Sequence, residues 1–151
     1  MKNILFAAAL CLPFGNAWAD EKPILTVYTY DSFVSDWGPG PQIEAAFEAE
    51  CGCDLQFVGA GDGAAMLARI RLEGARTEAD VALGLDNALM AQARDTGLFA
   101  PLASAPVGLA LPVAWEDDTF LPYDWGYLAF VYDNSALRRV PNSFETLGAS
   151  N

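Results

Sequence analysis

The stretch ILTVYTY, Ile24 to Tyr30, decides the fold. Seven residues rich in β-branched and aromatic side chains follow Pro23 and run into polar Asp31 and Ser32, which predicts a buried first strand. The pattern then changes. After Gly38-Pro39-Gly40-Pro41, Ile43, Ala46 and Phe47 recur at helical spacing with Glu44, Glu48 and Glu50 elsewhere, which predicts a helix with the apolar trio facing inward. DLQFVG, residues 54–59, reads as a second strand. Gly63 to Glu73 reads as a second helix with Met66, Leu67 and Ile70 on its inner face and Arg69, Arg71 and Glu73 toward water. ADVALGL, residues 79–85, reads as a third strand, and Asn87 to Arg94 as a third helix stopped by Gly97.

Alternation of this kind predicts an α/β fold: a mainly parallel sheet with helices on both faces and right-handed crossovers. Every loop that follows a strand then gathers at one edge. Those loops are Asp31-Ser32, Gly59 to Gly63, and Asp86-Asn87. In open α/β sheets, ligands bind outside the carboxyl ends of the strands, so the site is expected there. Beyond it, residues 100–113 are rich in Pro, Ala and Gly and read as a surface excursion. Phe120 to Asp124 and Tyr127 to Tyr132 read as extended segments. Asn142 or Ser143 reads as the cap of a helix that the sequence leaves within a turn or so, which reads as a truncated chain.

The first nineteen residues carry Lys2, an apolar run from Ile4 to Leu12, and Ala17-Trp18-Ala19 before Asp20. That is the pattern of a cleavable secretory signal, and the run is too short to span a bilayer. Cys11 does not read as a lipid anchor, because Leu10 stands where a small residue is needed. The expected division is thus residues 1–19 as signal peptide and 20–151 as the exported part. Losing Lys2 leaves seven basic residues against 20 acidic ones. Such an acidic chain offers phosphates no concentrated Lys and Arg, so nucleic acid is not expected as a partner. With no histidine, neither a Ser-His-Asp nor a Cys-His catalytic set can be assembled.

Three features compete for chemical meaning. GAGDGA, Gly59 to Ala64, satisfies a dinucleotide-type glycine spacing between strand and helix, with Asp86 where a ribose-binding acid would sit. The same glycines serve a tighter purpose: a turn whose free N–H groups, backed by the helix dipole, hold an anionic or hydroxyl oxygen. That polar pocket is the favoured reading. Second, Tyr28, Tyr30, Phe33, Trp37, Tyr123, Trp125 and Tyr127 are interleaved with Asp31, Asp36 and Asp124; Tyr28 is assigned to the core, and the rest suit a flat cation, each stacked ring contributing roughly 0.5–2 kcal/mol once desolvated. Third, Cys51-Gly52-Cys53 takes a structural role. An oxidising compartment favours a disulfide, while the one-residue spacing leaves reduced thiols open.

Several stretches together resemble a known family. LTVYTYDSF (25–33), DWGPGP (36–41), the CGC of Cys51 to Cys53, EADVALGLDN (78–87), TGLF (96–99) and DTFLPYDWGYLAFVYD (118–133) closely resemble the periplasmic thiamine-binding proteins of bacterial ABC importers, across nearly all of residues 20–151. The resemblance implies one lobe of a type II periplasmic solute-binding protein, the second lobe lying beyond this chain. It implies no catalysis and no cofactor. The implied partners are thiamine or its phosphates and an ABC importer permease in the inner membrane. The ligand-binding residues it implies are Tyr30, Asp62 and Gly63; Trp37, before the Gly-Pro-Gly-Pro turn, is added to them, with Asp86 and Trp125 as weaker candidates. Relatives that bind iron(III) or a polyamine share looser forms of these motifs and stand as the alternative, with a secreted dinucleotide-dependent oxidoreductase behind them.

Overall fold

The computed structural model describes residues 22–103, 108, 110–137 and 139–149. The secretory signal inferred for residues 1–19 lies outside them. Among the described residues no helix is long and apolar enough to cross a membrane. The chain divides into two compact units, residues 1–99 and 100–151.

In the first unit, β1 (Ile24–Thr29), β2 (Asp54–Gly59) and β3 (Val81–Ala82) form a parallel sheet in the order β2-β1-β3. The register pairs Tyr28 with Val58 on one side and Ala82 on the other, and Val27 with Phe57 and Val81. Helix α1 (Gly40–Cys51) links β1 to β2, α2 (Gly63–Glu73) links β2 to β3, and α3 (Met90–Asp95) follows β3. The two crossovers run in opposite directions along the sheet, so right-handed connections set α1 and α2 on opposite faces. Period-2 alternation then divides the strand residues between those faces.

The face under α2 carries the principal core. Tyr28, Met66 and Ile70 are buried together, flanked by Val58, Ala60, Ala79, Ala82, Leu85 and Phe99. Burying a phenol requires a partner for its hydroxyl. The Tyr28 hydroxyl donates to Glu73 Oε1 at 3.3 Å and accepts from Arg69 Nη2 at 3.0 Å, while the Arg69 guanidinium lies 4.2 Å from the Tyr28 ring centroid. Arg69 Nε also donates to Glu73 Oε1 at 2.7 Å, and the Thr77 hydroxyl donates to Glu73 Oε2 at 2.8 Å. One carboxylate thus ties the core tyrosine to the end of α2 and to the segment leading into β3.

The other face is thinner. Phe33 is fully buried and meets Phe57 edge-on at 5.2 Å. The expected inward trio of α1 is not covered: Ile43 and Phe47 are 41% and 43% exposed, and Gly40 is the one buried residue of the helix. The periodicity marks an apolar stripe correctly; α1 lies on β2, where Val27 and Leu55 are buried, but the stripe itself is only partly covered. Thr29 ends β1 with its hydroxyl buried and without a hydrogen-bond partner among the described residues.

Two elements are shorter than their sequence pattern. β3 was expected over residues 79–85, yet only Val81–Ala82 pair in the ladder. Asp80 and Leu83 still donate to the carbonyls of Thr26 and Tyr28, and Gly84 at φ +110° then turns the chain away. α3 begins at Met90, because the Asp86 carboxylate accepts the Leu89 N–H at 3.0 Å and holds the preceding residues in a turn. The cysteines of the CGC motif are joined as a disulfide across Gly52, whose φ of +64° caps α1 in the left-handed conformation.

The second unit has little regular structure among its described residues. Asp117 Oδ1 accepts the N–H groups of Thr119 and Phe120, both at 2.8 Å, and Trp115 Nε1 donates to the Phe120 carbonyl at 2.8 Å. The extended segments expected near Phe120 and Tyr127 form no strand, and Leu128, Phe130 and Val131 are largely exposed. A strand exists only when a neighbour takes up its N–H and C=O groups. The helix expected near Ser143 is present as α4 (Phe144–Gly148), capped reciprocally by Ser143 and Thr146.

Hydrogen bonding to Arg69, then to Thr77, holds the Glu73 carboxyl below its ordinary value of 4.5, and the bond to Glu73 raises Arg69. A depressed carboxyl contributes stability that is complete above its unfolded pKa and is lost as pH falls through its folded one. Glu73→Gln is therefore expected to lower the urea midpoint at pH 7, and the gap from the wild type should shrink steadily below pH 4.5. A gap that stays constant down to pH 3 would contradict the ionic role of this carboxylate.

Candidate ligand-binding site

The carboxyl ends of the three strands lead into one edge of the sheet, as the alternation of elements requires. The loops after β1 and β2 are tied to each other by backbone and carboxylate. Asp31 N–H donates to the Gly61 carbonyl at 2.9 Å while Asp31 Oδ1 accepts the Gly61 N–H at 2.9 Å, and the Ala60 N–H donates to the Thr29 carbonyl. Gly61 reaches this position at φ +84°. A side chain at Gly59 would meet Asp31 Oδ1 at 2.9 Å, so the glycine is needed for close approach.

The loop after β3 joins through Gly84. The ring of Tyr30, half-buried at the end of β1, lies so close that a Cβ on Gly84 would meet its Cδ1 at 2.4 Å. From the other side, a Cβ on Gly63 would meet the Gly84 carbonyl oxygen at 2.6 Å. Two absent side chains thus let the end of β1, the start of α2 and the end of β3 converge. Tyr30 is braced further by an edge-on contact with Phe33 at 5.6 Å.

Asp62 is the N-cap of α2 and accepts the Ala65 N–H at 2.8 Å with Oδ1. Gly63 and Ala64 present the remaining first-turn N–H groups, which have no partner among the described residues. Such a helix start supplies donors and a favourable dipole to an incoming oxygen. The structure therefore brings Tyr30, Asp62 and Gly63 to one edge. It leaves Trp37 apart: on the loop between β1 and α1, 80% exposed, the indole makes no hydrogen bond or ring contact among the described residues. Asp86 is engaged locally by Leu89, and Trp125, in the second unit, stacks edge-on with Tyr127 at 5.5 Å. Gly84, which lets these elements converge, is not singled out in the sequence reading. Its signal was a glycine interrupting an apolar strand pattern, which marks close approach of another group.

No protein-family model matches the chain. It is 52% identical over 147 residues, 97% of its length, to a thiamine-binding periplasmic protein of Salmonella typhimurium, and covers 44% of that relative. It is 44% identical over 132 residues to a protein of the same name from Haemophilus influenzae, covering 87% of this chain and 40% of the relative. A solved periplasmic thiamin-binding protein superposes on 83% of the chain with a TM-score of 0.76 at 52% identity. The chain is a relative of the periplasmic thiamine-binding proteins. It spans about two-fifths of the length of the curated relatives it matches. Its fold is that of an α/β solute-binding-protein lobe, with the small parallel sheet and flanking helices described above.

Replacing Gly84 by alanine forces a Cβ into the Tyr30 ring at a φ that side chains rarely adopt, and should destabilise the chain by about 2 kcal/mol. Gly84→Ala combined with Tyr30→Ala should cost less than the sum of the two single changes, because the second removes the clash created by the first. Strict additivity in urea unfolding would show that ring and glycine are not in contact.

Proposed function

We propose that this chain supplies one lobe of the substrate-binding component of a bacterial thiamine importer. It works in the periplasm after export, captures thiamine or a thiamine phosphate, and hands it to the inner-membrane permease without catalysing a reaction. The observation that carries this reading is the convergence of Tyr30, Asp62 and the free α2 amides at one sheet edge, in a chain 52% identical to proteins named for thiamine binding.

The chemistry of the ligand suits that edge. Thiamine is a flat cation carrying a hydroxyethyl tail, which its esters extend to phosphate. The N–H groups of Gly63 and Ala64 would receive the hydroxyl or phosphate oxygen. The Asp62 carboxylate would add negative charge facing the cationic ring system, and the Tyr30 ring would provide an apolar wall. Trp37, exposed and unengaged, would close on the ligand from the neighbouring loop and stack on it. A single lobe leaves the other side of the ligand in water, while nanomolar capture needs about −12 kcal/mol, so the second lobe would have to supply the rest. Iron(III) and polyamine readings are not favoured, because the matched relatives are named for thiamine.

The test is titration calorimetry of thiamine and thiamine pyrophosphate into this chain extended by the remaining length of the Salmonella relative. Thiamine should bind, and Asp62→Asn, which keeps the helix cap but removes the charge, should weaken it about tenfold or more, equivalent to about 1.4 kcal/mol. A folded extended protein that ignores both ligands but takes up spermidine or iron(III) would overturn the assignment.

A further inference from the structure

Helix α1 lies on β2 but buries little of its own surface there. Of its twelve residues only Gly40 is buried. A helix that buries so little of its own apolar surface gains little from packing. At its N-terminal end the Gly40 N–H donates to the carbonyl of buried Phe33 at 2.9 Å. At its C-terminal end the Glu48 carboxylate accepts the Leu55 N–H at 2.9 Å, and the Cys51–Cys53 disulfide joins the last helical residue to the residue before β2.

That disulfide encloses a single intervening residue. Closing so short a loop removes little entropy from the unfolded chain, so the bond is a poor staple for the fold as a whole. Its physical effect is local, a covalent tie between a weakly packed helix and an edge of the sheet. The two sulfur-bearing residues also differ in access: Cys51 is exposed, whereas Cys53 is 7% exposed.

We propose that Cys51–Cys53 is a site of thiol–disulfide exchange, entered at Cys51 by an external dithiol, and that its redox state decides whether α1 stays docked on the sheet. A thiolate of the dithiol attacks Cys51 Sγ, the S–S bond breaks, and Cys53 leaves as a thiolate that takes a proton from water. The second thiol, as a thiolate, attacks the dithiol's own sulfur in the mixed disulfide and releases Cys51, which is protonated in turn. The dithiol ends as a cyclic disulfide, and the protein gains two electrons and two protons. With the bond open, Cys53 remains buried beside β2, and the helix end is held by the Glu48 tie and by the flexible backbone link through Gly52 alone.

Hydrogen–deuterium exchange with mass spectrometry tests this on the chain before and after dithiothreitol, with maleimide labelling to count thiols, and on Cys51→Ser/Cys53→Ser. Dithiothreitol without denaturant should let maleimide label Cys51 in the folded chain and both thiols after subsequent denaturation, and amides of residues 43–51 should then exchange at least tenfold faster. Amides of β1 and of residues 66–73 should keep their protection, and the double-serine variant should match the reduced chain. Should that variant not fold, the reduced wild-type chain carries the comparison. Unchanged protection of α1 on reduction would overturn the proposal, as would a loss of protection shared equally by β1 and α2. Resistance of the bond to dithiothreitol under native conditions would overturn the exchange step.

Discussion

The approach of three strand-end loops to one another is the constraint on which the rest of this lobe depends. It is possible because Gly84 and Gly63 have no side chains: a Cβ on either would overlap the Tyr30 ring or the Gly84 carbonyl. The reciprocal hydrogen bonds between Asp31 and Gly61 fix the first two loops in the same place. The outcome is an aromatic ring, a capping carboxylate and a helix start with two N–H groups unpaired among the described residues, gathered at one rim. Donors and ring are thus held in place by backbone contacts of the lobe itself.

Cohesion within residues 22–99 is uneven. The α2 side buries Tyr28, Met66 and Ile70 and binds the tyrosine hydroxyl into the Arg69, Glu73 and Thr77 network. The α1 side buries Val27, Phe33 and Leu55, under a helix whose own apolar residues stay partly exposed. Local opening follows such differences in buried contact, so α1 is expected to be the less protected element. Thr29 adds a cost at the strand end that leads into the site, since a buried hydroxyl without a partner forfeits about 1–3 kcal/mol of desolvation.

Much of this was legible in the sequence where one local pattern sufficed. ILTVYTY and DLQFVG gave strands close to their true bounds, and the residues from Gly63 to Glu73 gave a helix with Met66, Leu67 and Ile70 inward, as found. The errors lie where a pattern states less than it suggests. The stripe of Ile43, Ala46 and Phe47 shows that one face of α1 is apolar, but says nothing about which part of a chain covers it. ADVALGL reads as seven residues of strand, yet a single glycine at φ +110° turns the last of them out of the ladder. Tyr30, Asp62 and Gly63 could be placed at the rim because topology alone sends strand ends there. Gly84 could not, since its role is to make room for a ring whose position depends on the tertiary fold. Trp37 remains a residue placed by its position in the sequence beside the end of β1, with its indole in solvent.

The central claim is that the rim around Gly84 is where ligand binds. Backbone amide NMR of the ¹⁵N-labelled chain during titration with thiamine tests it most directly, because even weak binding to one lobe shifts the amides it touches. The account predicts concentration-dependent shifts at Asp31, Gly61 to Ala64 and Gly84, with β1 amides below the rim and the amides of α3 undisturbed. Shifts confined to α3 or to residues 100–149, or no shifts at millimolar thiamine in a folded chain, would contradict it.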